Sequence, residues 1–254
     1  MKNPRLTKVE IGDVIRFGEA QKVASEAAWG ADVSRNEKVN FIKQFLVANG
    51  VRGSLVNRTH EIADLREVLN EIDAEPLIDA AIDQLNDVKY RYIRMQLGIV
   101  IGRSRRDVAR FNKLADKILE YGTDKTWPNH MMSAQRSLSS HLASLAPLND
   151  ETIFQRYCSL CLDHPTGISN SELIFKLHRF RRYRPQVEEL CERLLSMGNL
   201  AVLHAISSCS FVRFTPVLEA KMRAIEESGK EDFVTRGTYS HLKSVVSKLR
   251  KVIV

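Results

Sequence analysis

Cysteine is scarce in this chain. Four cysteines in 254 residues, at no regular spacing, do not make a secreted disulfide scaffold, and a reducing compartment is expected. Glycine and proline are also few, at 12 and 7, and most stand where helices would end. No run of alternating apolar and polar residues flanks an Asn-Gly or Asp-Gly turn, so nothing reads as a sheet. Long apolar runs are missing too. The longest candidate, 93–101, is broken by Arg94 and Gln96 and falls well short of the roughly 18 residues of a membrane span. No phosphate-binding glycine loop, dinucleotide fingerprint, nucleophile elbow or His-Glu-x-x-His occurs. Paired carboxylates occur only on solvated-looking helix faces. No side chain is assigned a catalytic role, no cofactor is expected, and the chain reads as a non-enzyme.

What is present is helical periodicity with a recurrence inside it. Sliding the sequence by 31 residues lays 175–194 over 206–225. Phe180 then falls on Phe211, Arg182 on Arg213, Tyr183 on Phe214, Pro185 on Pro216 and Glu188 on Glu219. A period of this size marks stacked supersecondary units, because one unit cannot bury its apolar face alone. Amphipathicity explains the apolar matches but not the Pro and Arg matches.

One unit can be read residue by residue. Leu173, Ile174, Leu177 and Phe180 share a helix face, with Ser169 or Ser171 as a cap. Arg181–Arg184 is a short link, and Pro185 opens a second helix whose inward residues are Val187, Leu190, Cys191, Leu194 and Leu195. Gly198 is placed to end it. The next unit runs from Ala201 through Pro216 to a Gly229 stop. An upstream unit pairs Leu138, Leu142 and Leu145 with Ile153, Phe154, Tyr157 and Leu160 across a link at Pro147, Asn149 and Asp150. Residues 95–100 and 108–122 suggest another pair, and 233–249 a closing helix. Before residue 88 the pattern is helical but out of frame: Ser34 and Glu37 form a capping-box pair, Thr59 caps a segment, and Pro76 starts another. The expected fold is all-α, roughly ten to twelve helices, arranged as an α-solenoid of stacked antiparallel helical hairpins. Residues 1–87 form an N-terminal helical region and 88–254 the repeat region.

Cys158, Cys161 and His164 put three metal-capable groups near one helix face. No fourth ligand stands nearby, as a zinc site requires, so the cysteines are read as small buried hydrophobes.

Charge is unevenly distributed. The net charge is +7. From Thr59 to Asp87 stand Glu61, Asp64, Glu67, Glu71, Asp73, Glu75, Asp79, Asp83 and Asp87 against Arg66 alone. The next stretch inverts this, with Lys89, Arg91, Arg94, Arg103, Arg105, Arg106, Arg110 and Lys113 against Asp107. A second basic cluster is Lys176, Arg179, Arg181, Arg182 and Arg184. A third is Arg236, Lys243, Lys248, Arg250 and Lys251. Such clusters attract polyanions and gain affinity by releasing counterions from phosphates. The alternatives are solvated helix faces, or pairing with the acidic 59–87 segment. The second and third clusters have no local acids, which favours polyanion contact there. The candidate RNA-contacting residues are Arg103, Arg105, Arg106, Arg110, Arg179, Arg181, Arg182, Arg184, Arg213, Lys243, Lys248, Arg250 and Lys251. Aromatics interleave them. Phe180 reads as core by its helical spacing. For Tyr90, core packing and base stacking stand level; Tyr92 and Tyr183 would stack bases if exposed.

The string LIFKLHRFRRYRPQVEELCERLL, followed by LHAISSCSFVRFTPVLEAKMRAI, resembles the helical-hairpin repeats of organellar RNA-binding proteins. These are the heptatricopeptide and octotricopeptide families and the related repeats of FAST-kinase-like proteins. Phe180, Arg182, Tyr183, Glu189, Leu190 and Leu194 stand in the positions of that frame, as do Phe211, Arg213, Phe214 and Leu218. The resemblance covers about 138–228. The spacing is tighter than the family's usual period, and no C-terminal RAP-type domain is present. The resemblance implies an organellar, usually mitochondrial, role in RNA binding, RNA processing or ribosome structure. Lys2, Arg5, Lys8 and Arg16 are interrupted by Glu10 and Asp13, unlike an acid-poor transit peptide.

The expectation is a non-catalytic subunit of a mitochondrial ribosome or similar ribonucleoprotein, contacting rRNA phosphates and protein neighbours and spanning no membrane. Outside the organelle, the location would be cytoplasmic. The competing expectation is an α-solenoid scaffold that receives acidic protein partners. In the first case Arg181, Arg182, Arg184 and Arg213 should line one edge of the solenoid as a basic ridge.

Overall fold

The computed structural model describes residues 33–53, 56, 64–85, 87, 91–122, 132–162, 170–229 and 232–253. The Thr59 and Ser169 caps, Tyr90, Lys89, His164 and the basic residues Lys2, Arg5, Lys8 and Arg16 lie outside them. The described residues form twelve α-helices and no strand. In chain order these are α1 (Arg35–Ala48), α2 (Leu65–Val68), α3 (Glu75–Asp83), α4 (Arg91–Ile101), α5 (Val108–Gly122) and α6 (Met132–Leu145). Then come α7 (Glu151–Leu162), α8 (Asn170–Lys176), α9 (Arg184–Ser196), α10 (Val202–Cys209), α11 (Thr215–Ser228) and α12 (Phe233–Ile253). No helix among the described residues is long and apolar enough to cross a membrane.

The chain divides into two compact units, Met1–Arg105 with Asp124–Ser137, and Arg106–Thr123 with Leu138–Val254. The division lies beyond the 87/88 boundary at which the helical pattern comes into frame. The reason is packing: α4 carries the basic charge but lays its apolar face on α1, α2 and α3. In that first unit the Ser34 hydroxyl accepts from the Glu37 N–H at 3.3 Å, and the Glu37 carboxylate accepts from the Ser34 N–H at 2.8 Å. This is the expected capping box, and it holds Glu37 below the usual carboxylate range. Val39, Ile42, Phe45 and Leu46 then face inward. Asp64 caps α2 through the Arg66 N–H. The fully buried Gln96 of α4 accepts from the Leu65 N–H at 2.7 Å. That bond answers a backbone donor with no partner inside so short a helix.

The second unit is built on aromatics. Tyr157 of α7 is fully buried, and its hydroxyl donates to the Leu173 carbonyl at 2.7 Å. The Phe154 ring stacks on Tyr183 with centroids 4.3 Å apart. Phe180 lies 5.3 Å from Phe154 and 4.8 Å from Tyr157. The link ahead of α7 is capped by Asp150, which accepts from the Ile153 N–H at 2.9 Å.

The 31-residue recurrence is present in the backbone. Phe180 sits at φ −80°, ψ 60° and Phe211 at φ −79°, ψ 80°. Each is followed by a short 3-10 turn, Arg181–Tyr183 in one unit and Val212–Phe214 in the next. Each turn is closed by the N–H of its last aromatic on the carbonyl of the first, at 3.0 and 3.2 Å. Each leads into a helix with proline in its first turn, where a missing N–H costs nothing. Gly198, at φ +80°, ends α9, and the Asn199 N–H reaches back to the Leu194 carbonyl. The first helices differ at their ends. Leu177–Arg179 tightens into a 3-10 turn, whereas α10 stops at Ser210 in the left-handed region, φ 54°. Around these links α8 packs on α7 and α10, α9 on α10, and α12 on both α10 and α11.

Candidate nucleic-acid interface

The link after Phe180 presents Arg181, Arg182 and Arg184 to solvent. Their exposure follows from the backbone. Phe180 and Tyr183 turn inward, so the residues between and beyond them turn out. Arg184 lies over the Phe211 ring, 4.9 Å from its centroid, and Arg182 lies 6.0 Å from the Tyr183 centroid, with one N–H 3.5 Å from the Asn149 carbonyl. Such stacking holds a guanidinium plane in place while leaving its edge for an anion.

Arg213 occupies the matching link but is differently engaged. It pairs with Glu188 at 2.8 Å and Glu192 at 2.9 Å, both on α9. Its charge is already answered, so the free charge of the link edge is confined to Arg181, Arg182 and Arg184. Arg179 is also engaged: it is half-buried and donates to the Ala143 carbonyl at 3.1 Å. Burial, then the nearby charge of Arg106, lowers its proton affinity.

The remaining residues of the first basic cluster belong to different surroundings. Arg103 donates to the Asn70 side chain at 2.8 Å, and with Arg105 it lines a hollow of about 480 Å³ shared with Asp73 and Glu75. Those acids temper its attraction for anions. Arg110 is half-buried on α5, one turn beyond Asp107, whose carboxylate accepts from its backbone N–H.

Helix α12 is the most basic element. Over 21 residues it carries Arg236, Lys243, Lys248, Arg250 and Lys251, with His241 and no acid. Leu242, Val245, Val246 and Leu249 form its buried stripe, which turns the lysines outward. An open groove of about 860 Å³ between α11 and α12 is lined by Arg223, Lys243, Arg250 and Lys251 together with Glu219 and Glu226. Both acids are engaged: Glu219 accepts from Arg250 at 2.7 and 3.1 Å, and Glu226 from the Tyr239 hydroxyl. Arg223, Lys243 and Lys251 have no carboxylate partner among the described residues. Lys248 stands apart from this groove, near His204.

The interleaved aromatics do not join this surface. Phe180 and Tyr183 are buried, Tyr183 donating its hydroxyl to the Asn149 carbonyl at 3.1 Å, and Tyr92 is buried beneath the Lys38 ammonium. They pack the core and are not presented for base stacking. The cysteines are free thiols, and no group of three or more His, Cys, Asp or Glu among the described residues converges to hold a metal ion.

Sequence reasoning misses Arg223, which stands among acids, and the histidines gathered near Lys248. Residues so far apart in sequence carry no local signal of their meeting. No protein-family model matches the chain, no curated protein is similar to it, and no solved structure matches its fold.

Proposed function

We propose that this is a non-catalytic, RNA-associated helical-repeat protein that grips phosphates rather than bases. In this reading the helix pairs are units of an α-solenoid of stacked antiparallel hairpins. The protein serves as a structural subunit of a mitochondrial ribosome or a comparable organellar ribonucleoprotein. The observation that carries the reading is α12: a 21-residue helix without one acid, whose Lys243 and Lys251 stand outward beside an open groove. A solvated surface helix ordinarily mixes both signs, since self-repulsion costs stability. The link arginines add a second basic edge. Burial of the interleaved aromatics supports backbone contact over base reading, and phosphate contacts carry no sequence information. The resemblance of 138–228 to organellar RNA-binding repeats supports the class of partner and the compartment. A second reading, a scaffold for acidic proteins, draws on Arg213 and Arg250, which already take carboxylates from this chain.

A titration separates the two. Generic structured RNA is titrated into the full chain at several salt concentrations, beside a variant with Arg181→Glu, Lys243→Glu and Lys251→Glu. RNA affinity should fall steeply with salt in the parent. The variant should bind more weakly with a flatter slope, by roughly one unit for each phosphate it no longer neutralises. Equal binding by both at every salt concentration removes the assigned surface. No binding by the parent at low salt leaves the scaffold.

A further inference from the structure

Three elements that pack against α10 carry basic side chains whose charge acts on His204. This residue stands exposed on α10. Its ring centroid lies 5.3 Å from that of His178, in the 3-10 turn Leu177–Arg179, and 5.7 Å from that of Phe175, on α8. The His178 Nδ1 lies 2.8 Å from the Phe175 carbonyl. A carbonyl only accepts, so Nδ1 carries the proton and Nε2 is left for another partner. The His204 Nε2 has only a long approach, 3.5 Å, to the Ser208 hydroxyl.

The charged groups that act on His204 come from the elements packed around α10. They are Lys176 at the end of α8, His178 in the turn, and His241 and Lys248 on α12. Helix α9, which also packs on α10, supplies none of them, and Glu172 of α8 acts on Tyr157 instead. Burial comes first and these neighbours second in pushing the His204 imidazole below its ordinary proton affinity. Two lysines in the cluster repel a metal ion. A tetrahedral anion meets the opposite condition, because it supplies the counter-charge that the cluster lacks.

We propose that Lys176, His178, His204, His241 and Lys248 form a phosphate-binding patch that holds a backbone phosphate of RNA, and that its affinity rises as the pH falls. The choice of RNA rests on the functional reading above; the patch itself rests on the His178–His204 ring pair and on the packing of α8, the 3-10 turn and α12 against α10. A bound phosphate stabilises the protonated imidazole, so binding raises the His204 proton affinity. By linkage, protonation strengthens binding, by about tenfold for each pKa unit His204 gains.

The test uses the full chain with isotope-labelled histidine, titrated by NMR in inorganic phosphate and in chloride at equal ionic strength. His204 should titrate at higher pH in phosphate, and Lys176→Gln with Lys248→Gln should shrink the difference. Identical titration in the two salts overturns the patch. In a second arm, RNA affinity is compared at about pH 8 and about pH 5.5, on either side of the ordinary histidine range. The parent should gain more on acidification than the variant with His178→Gln and His204→Gln. Equal gains overturn the patch while leaving RNA binding intact. A phosphate-shifted His204 in a chain that binds RNA at neither pH overturns RNA as the occupant, together with the functional reading.

Discussion

Burial, more than identity, decides what single residues do here, and the cysteines show it. Cys161 is fully buried, and burial pushes its thiol well above the usual value. Burial pushes Cys158 and Cys191 up to about 12. Thiolates are the reactive form, so these side chains are held inert. Because their pKa values are raised on folding, the neutral thiols favour the folded state fully below the unfolded value of 9.0, and that contribution is lost as the pH rises toward about 12. Stability in urea should therefore hold level through neutral pH and decline above about pH 9, less so in a Cys158→Ala, Cys191→Ala variant. Iodoacetamide at neutral pH should label Cys161 and Cys191 only after unfolding, and rapid labelling of the native chain by mass spectrometry would contradict the burial. Helical spacing alone makes Phe180 legible as core. The pairing of Arg213 is not legible, because Glu188 and Glu192 meet it across a link and a helix rather than along one helix face.

Among the elements, the two links Arg181–Tyr183 and Val212–Phe214 carry most of what the sequence announces. Their shared aromatic-Arg-aromatic-Pro frame specifies the same backbone twice, because an inward aromatic, a 3-10 turn and a proline in the first helical turn each restrict φ and ψ. The glycine stop at Gly198 is legible for the same kind of reason: only a residue without Cβ takes φ +80° freely. The tightening of α8 into Leu177–Arg179 is not, since no breaker residue marks it. From exposure alone, Arg213 looks like a residue whose charge is dispensable to the fold. The two carboxylates of α9 change that expectation. Arg213→Glu would set a third carboxylate beside Glu188 and Glu192, whereas Arg181 has no carboxylate partner among the described residues. With the Arg213 side chain 49% exposed, its ion pairs are screened, and breaking them should cost roughly 1 kcal/mol. Chemical denaturation should show that loss for Arg213→Glu and a smaller change for Arg181→Glu. An unchanged midpoint for Arg213→Glu would mean the pairs contribute nothing.

At the scale of the whole molecule, the helical class is legible in the sequence, and the two compact units divide after Arg105 rather than after residue 87. The helical pattern comes into frame only after residue 87, yet units are defined by cores rather than by repeat frame. The apolar side of α4 joins Leu65, Leu77, Ile78 and Ile82, so the first unit extends through Arg105. In each unit a fully buried polar side chain makes a hydrogen bond to a backbone group. Gln96 takes the Leu65 N–H in the first, and Tyr157 gives its hydroxyl to the Leu173 carbonyl in the second. Removing either partner leaves a buried polar group with less than it needs, at a cost of roughly 1–3 kcal/mol. Units with separate cores open as separate cooperative blocks. Gln96→Ala should therefore speed hydrogen exchange in α1, α2, α3 and α4 and leave α7–α10 at parental rates. Tyr157→Phe should do the reverse. The paired variant should show the sum of the two patterns, as independent sites do. If either substitution loosens every helix to the same extent, the chain unfolds as one block, and the two cores are parts of a single cooperative structure.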